Sequence, residues 1–257
     1  MIAMFDSGLG GLSVWREVVN RLPQWSVTYV ADQAYCPYGS RTEEEIIARS
    51  LRIGRHLEAE GARILVVACN TATSAAAGAL RAALKIPVVG VEPAIKPAAA
   101  ASRRGRIGVL ATPATLASDR FQSLLSRFAQ DVEVVARPGE GWVEQVESGD
   151  LCSTEAHARV QAAVRPIVEQ GVDHIVLGCT HYPFLAPLVA ATAGPNVSLH
   201  DPAAAVARQV AHLLEQAQPS LCPVRYRFLT TAEDTAPMAR GLAALVGERY
   251  AVERLLL

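Results

Sequence analysis

Two segments of the chain arrive at a thiol in the same way. Ala62-Arg63-Ile64-Leu65-Val66-Val67-Ala68 runs into Cys69-Asn70-Thr71, and Val172-Asp173-His174-Ile175-Val176-Leu177-Gly178 runs into Cys179-Thr180-His181. Each is a short aliphatic, β-branched run followed by a small residue, a cysteine and polar side chains, the profile of a buried parallel strand that stops abruptly. Open α/β sheets bind ligands beyond the carboxyl ends of their strands, so both thiols are expected at a ligand-binding edge. A thiol with the ordinary pKa of about 8.5 is mostly protonated at neutral pH, so one used as a base needs a neighbour to take or share its proton. Asp6 and His181 are the candidates for that role. Two equivalent thiols facing one pocket suggest a two-sided reaction.

Other chemistry fits these residues less well. Cys179 and His181 offer at most two metal ligands, with no second pair in view. The five cysteines, Cys36, Cys69, Cys152, Cys179 and Cys222, show no C-x-x-C spacing, which argues against a cysteine-rich zinc site and a disulfide framework alike. A Cys-His hydrolase stays open but leaves the second thiol without a task. The turn Asp6-Ser7-Gly8-Leu9-Gly10-Gly11-Leu12-Ser13, with Asp32 closing the second strand, imitates a dinucleotide fingerprint. Ser13 stands where the third glycine belongs, and Asp6 would repel a pyrophosphate, so the nucleotide reading is set aside. Tyr35-Cys36-Pro37-Tyr38-Gly39-Ser40-Arg41 is by itself a turn; at the same edge as Asp6 and Cys69 it becomes a clamp that offers the Gly39 N–H to a ligand. Cys152 and Cys222 read as small buried hydrophobes, and His174, His200 and His212 as surface or packing residues without an evident partner.

Apolar runs at 2–5, 27–31, 64–68, 88–91, 107–111, 132–135, 175–178, 197–199 and 226–229 predict the strands that must position these groups. Most gaps are long enough for a helix. One such helix spans Glu43–Ala59, opened by the capping box Thr42-x-x-Glu45, stopped by Gly61, and carrying Ile46, Ile47, Ser50, Leu51, Gly54 and Leu57 on one face. Alternation of this kind specifies parallel α/β sheets with right-handed crossovers. The strand before Asp6 resembles the one at 107–111 just as the Cys69 strand resembles the Cys179 strand, which splits the chain into two related α/β units. Residues 1–93 and 205–257 are expected to form the first and 94–204 the second, with the Pro- and Ala-rich stretch 93–104 as crossover. The tail returns to the first unit because its late strand must find a sheet edge.

With 257 residues, 51% of them hydrophobic, the chain can bury a full core. A net charge of −1 provides neither a basic field for nucleic acid nor a polybasic membrane patch, so a small-molecule partner is expected. No signal peptide is evident and the Ala-rich stretch 94–101 is too short to span a bilayer, so the expected compartment is the cytoplasm.

Taken together the motifs resemble the cofactor-independent glutamate racemases of the aspartate/glutamate racemase superfamily. The matching elements are Phe5-Asp6-Ser7-Gly8-x-Gly10-Gly11-Leu12, Cys36-Pro37-Tyr38-Gly39-x-Arg41, Ala68-Cys69-Asn70-Thr71-Ala72, Gly90-Val91-Glu92-Pro93-Ala94, Val146-Glu147-x-Gly149, Gly178-Cys179-Thr180-His181-Tyr182-Pro183 and the late Phe228-Leu229-Thr230-Thr231. The resemblance implies two α/β domains related by a pseudo-twofold axis, the amino acid held between them, a homodimer, and neither metal nor cofactor. It implies that Cys69 and Cys179 are the catalytic acid/base thiols, Cys69 acting on the D- and Cys179 on the L-enantiomer, assisted by Asp6 and His181. Asp6, Ser7, Tyr38, Gly39, Asn70, Thr71, Thr115, Glu147, Thr180 and His181 would contact the substrate, glutamate. The chain departs from the pattern at Ala136-Arg137-Pro138, where Ala-Cys-Pro is common, and at Ala114-Thr115, where Gly-Thr is common. Aspartate racemases, single-thiol decarboxylases and a non-catalytic amino-acid-binding or partner-inhibiting protein share the superfamily fold and stand as alternatives.

Overall fold

Ten short strands alternate with helices along the chain: β1 Ile2–Asp6, β2 Val27–Ala31, β3 Ile64–Val67, β4 Val88–Gly90, β5 Arg106–Ala111, β6 Glu133–Pro138, β7 His174–Leu177, β8 Ser198–His200, β9 Tyr226–Thr230 and β10 Val252–Arg254. The computed structural model describes all 257 residues, Met1–Leu257. They assemble into two sheets, ordered β10-β9-β2-β1-β3-β4 and β6-β5-β7-β8, in which every pairing is parallel. This is the expected fold class. The chain divides into one unit of Met1–Val91 with Ala203–Leu257 and another of Glu92–Pro202.

Within each unit the first four strands follow one order: the second strand flanks the first, and the third crosses to its other side. That reversal makes the carboxyl edge between the first and third strands a topological switch point, the place in such sheets where ligands bind. Asp6 ends β1 and Cys69 lies just beyond β3; in the other unit Thr112 follows β5 and Cys179 lies just beyond β7. The duplicated sequence signal is thus a duplicated position in the topology.

β1, β2 and β3 are buried along their whole length, which is why they read as continuous apolar runs rather than alternating ones. The helix Glu43–Ala59 starts at the capping box: the Glu45 N–H donates to Thr42 Oγ1 at 3.3 Å and the Thr42 N–H to Glu45 Oε2 at 3.0 Å. Its buried face is rotated from the predicted one, with Arg49 and Ile53 inside and Ile47 and Leu51 only partly covered. An arginine enters that face because a buried carboxylate awaits it, as described below.

Other expectations need correction. β10 was not anticipated: three residues, two of them charged, carry no apolar pattern, yet they extend the sheet beyond β9. Cys152 and Cys222 are exposed rather than buried, since both fall in connecting segments. His174 and His200 do have partners, namely each other: parallel pairing of β7 with β8 brings His174 Nδ1 to 2.8 Å from His200 Nε2. His212 pairs with Glu215 on the surface at 3.4 Å. No helix is long and apolar enough to cross a membrane.

Candidate active site

In the first unit the chemistry starts at the end of β1. Asp6 is fully buried and its Oδ1 accepts the Gly8 N–H at 2.7 Å and the Ser7 hydroxyl at 3.4 Å. The loop closes tightly because Gly11 has no side chain; a Cβ there would lie 2.8 Å from Asp6 Cβ and 2.9 Å from Ala68 Cβ. Tyr29 anchors it by donating to the Gly8 carbonyl at 2.8 Å.

Beside this loop, Cys69 caps the helix Asn70–Ala83, its sulfur accepting the Ala72 N–H at 3.5 Å. A helix N-terminus favours negative charge, so the cap favours the thiolate. The Cys69 thiol also reaches Ser7 Oγ at 3.9 Å. Cys69, Ser7 and Asp6 therefore form a line along which a proton on sulfur is connected to a carboxylate. Next in the chain, Asn70 is only 4% exposed, yet neither its Nδ2 nor its Oδ1 has a hydrogen-bond partner. An unpaired buried amide costs about 1–3 kcal/mol. One amide that can accept from an ammonium and donate to a carboxylate matches the two charged ends of an amino acid. Thr71 is buried alongside it in the same helical turn.

The segment after β2 is held by Asp32. This carboxylate accepts the Tyr38 hydroxyl at 2.6 Å, Arg49 at 2.7 and 3.1 Å, and the Thr231 hydroxyl at 2.8 Å. Burial, the Asp32 carboxylate and nearby Cys69 all push the Tyr38 hydroxyl far above its ordinary pKa, with Arg49 opposing, so Tyr38 remains a protonated donor to Asp32. Gly39, beside it, is exposed. Sequence reasoning registers Asp32 only as part of a false nucleotide motif, gives Arg49 no role, and notes Thr231 only within the late segment Phe228-Leu229-Thr230-Thr231. The available signal was an arginine within the apolar stripe of Glu43–Ala59.

In the second unit Cys179 Sγ lies 3.7 Å from His181 Nδ1, and His181 Nε2 lies 2.7 Å from Glu147 Oε1. Cys179 is 6% and His181 2% exposed. Burial alone would depress the imidazole's pKa, but its contacts with Cys179 and Glu147 outweigh burial and hold it well above the ordinary value. Its contacts with a sulfur on one side and a carboxylate on the other thus favour the charged form of the ring. Its geometry depends on an aromatic lock: Trp142 opens the helix Trp142–Ser148 that carries Glu147, and its ring meets Tyr182 edge-on at 4.7 Å. The Tyr182 hydroxyl donates to the Gly139 carbonyl at 3.2 Å, fastening the same two segments. Gly178 permits the close crossing before Cys179, since a Cβ there would stand 2.9 Å from Ala111 Cβ. Thr180 is buried beside these groups. Thr115 is buried after β5, where its Oγ1 accepts the Thr112 hydroxyl at 3.0 Å. No three His, Cys, Asp or Glu side chains converge to hold a metal ion.

Each unit thus presents a buried thiol with its own proton-handling partner at the same topological position. Residues 9–210 match the model of the Asp/Glu/hydantoin racemase family. The chain belongs to this family. Among its racemase relatives, the glutamate racemase of Pseudomonas aeruginosa is 52% identical over 83% of this chain and 81% of its own length. The glutamate racemase isoform RacE1 of Bacillus anthracis superposes with a TM-score of 0.90 at 29% identity, covering 100% of this chain and 97% of that one. The Escherichia coli glutamate racemase, solved with L-glutamate and the activator UDP-MurNAc-Ala, gives 0.88 at 32% identity, covering 99% and 97%.

Two outcomes follow for this family member. Asn70→Leu, which deletes the unpaired amide at similar volume, should leave the thermal stability of the ligand-free protein unchanged or raise it by up to about 1–3 kcal/mol. A marked loss of stability in calorimetry would show that the amide has a structural partner. Glu147→Gln should lower the titration midpoint of His181, followed by NMR of its ring nitrogens, because a carboxylate that favours the charged ring is gone. The substituted protein would then lose the imidazolium as pH rises sooner than the natural one does, and an unmoved midpoint would assign the shift to Cys179 alone.

Proposed function

We propose that the protein interconverts L- and D-glutamate without a cofactor, Cys69 and Cys179 each serving one face of the α-carbon. The observation that carries this reading is the pair of buried thiols, one per unit, each placed after the third strand of its sheet and each in contact with a different polar partner, Ser7 for Cys69 and His181 for Cys179. The named activity of the relatives supplies the substrate.

Racemisation requires a base on one face of the substrate and an acid on the other. In the L-to-D direction, Cys179 as thiolate takes the α-proton and the Cys69 thiol delivers one to the opposite face; the D-to-L direction exchanges these roles. The imidazolium of His181 stabilises the Cys179 thiolate before abstraction, and Glu147 holds that charge in place. On the other side, the amide of Ala72 stabilises the Cys69 thiolate while Ser7 and Asp6 offer a path for its proton. The planar carbanionic species needs fixed donors; the amide of Asn70 and the hydroxyls of Thr71, Thr180 and Ser7 are the groups available. Such a reaction supplies D-glutamate to peptidoglycan synthesis in the cytoplasm, and the working assembly is a homodimer.

Circular dichroism of L-glutamate with dialysed protein should decay to zero with no addition, and D-glutamate should do the same from the opposite sign. Cys69→Ala or Cys179→Ala should each abolish both decays, because a missing acid or base blocks both directions. Rapid decay with aspartate and none with glutamate would transfer the assignment to the sister activity, and a need for pyridoxal phosphate would remove the mechanism.

A further inference from the structure

Asp32 is fully buried, and its two oxygens take four donor contacts from three elements: two from Arg49 on the helix Glu43–Ala59, one from Tyr38 and one from Thr231 just past β9. Its backbone is committed too, the N–H to the Asp6 carbonyl at 2.9 Å and the carbonyl to the Tyr35 N–H at 2.9 Å. The Arg49 guanidinium carbon lies over the Tyr35 ring, 4.1 Å from its centroid. Both tyrosines of the Tyr35–Tyr38 stretch are therefore pinned to one ion pair, and Tyr38 packs in the same apolar cluster as Cys69. A buried ion pair contributes little net stability compared with apolar residues of the same volume, and its best-attested use is to fix geometry.

We infer that Asp32, paired with Arg49, is a positioning residue that holds Tyr38 against Cys69 through the tyrosine hydroxyl and so sets one wall of the thiol's pocket. The inference rests on Cys69 acting on the substrate as proposed above. It also defines what Tyr38 does there. Its proton is spent on Asp32, so toward the substrate Tyr38 presents a ring and an acceptor oxygen, suited to an ammonium group rather than to a carboxylate.

Alkylation of Cys69 by iodoacetamide, resolved by peptide mass spectrometry, tests the clamp without reference to activity, with Cys179 in the other unit as an equally buried internal reference. Tyr38→Phe cuts the link without changing any charge, and Asp32→Asn weakens the whole network. In both, alkylation of Cys69 should rise about fivefold, the factor that corresponds to losing one net hydrogen bond, while Cys179 stays at the natural rate. KM for glutamate should rise by a similar factor, with kcat altered equally in the two directions because the clamp moves no proton. Unchanged alkylation of Cys69, or an equal rise at Cys179, would overturn the inference. If Asp32→Asn does not fold, Tyr38→Phe decides alone. If the natural protein leaves glutamate untouched, the proposed function falls, while the alkylation comparison still reports whether Asp32 holds Tyr38 over Cys69.

Discussion

In the proposed reaction a thiol gains and loses a proton with only 6% of its residue in contact with water, so it has to draw on its immediate neighbours to carry the charge. Nearly everything that is specific about this structure answers that requirement. Parallel strands buried on both faces deliver Cys69 and Cys179 to a sheet edge where backbone amides and polar side chains are within reach. Glycines at 11 and 178 let the neighbouring backbone approach, because a methyl group at either would collide with the adjoining strand end. The aromatic lock of Trp142 and Tyr182 and the ion pair of Asp32 and Arg49 are both devices for keeping the neighbours of a thiol in place.

The two units share strand order but not chemistry. Cys69 relies on a helix N-terminus and on a hydroxyl leading to a carboxylate, a neutral-to-anionic environment. Cys179 relies on a cation, His181, backed by Glu147. A repeated fold has thus been fitted with two different ways of stabilising the same functional group.

Much of this could be read in the sequence. Continuous apolar runs located nine strands, and the thiols stood out because two of those strands end alike, in a small residue, a cysteine and polar side chains. Asp6 was conspicuous as a charge at the end of an apolar run. What escaped was whatever depends on partners distant in the chain. The link between Asp32 and Arg49 joins a strand end to the middle of a helix, and an arginine inside an apolar stripe is legible only once its counter-ion is known. The His174–His200 pair needs the register of two strands, and the unpaired amide of Asn70 is a property of its surroundings rather than of its residue type.

Asn70 and the Asp32 cluster are opposites: one leaves a buried polar group unsatisfied, the other surrounds a buried charge with donors. Both make sense if the α-proton leaves one face of the substrate for one thiol and a different proton arrives on the other face from the second. The direct measurement is racemisation of L-glutamate in D2O, stopped at low conversion and read at the α-position by mass spectrometry. Deuterium in the D-glutamate formed, with protium retained in the L-glutamate recovered, is the result expected of two thiols acting on opposite faces. Deuterium in the recovered substrate with none in the product would contradict it.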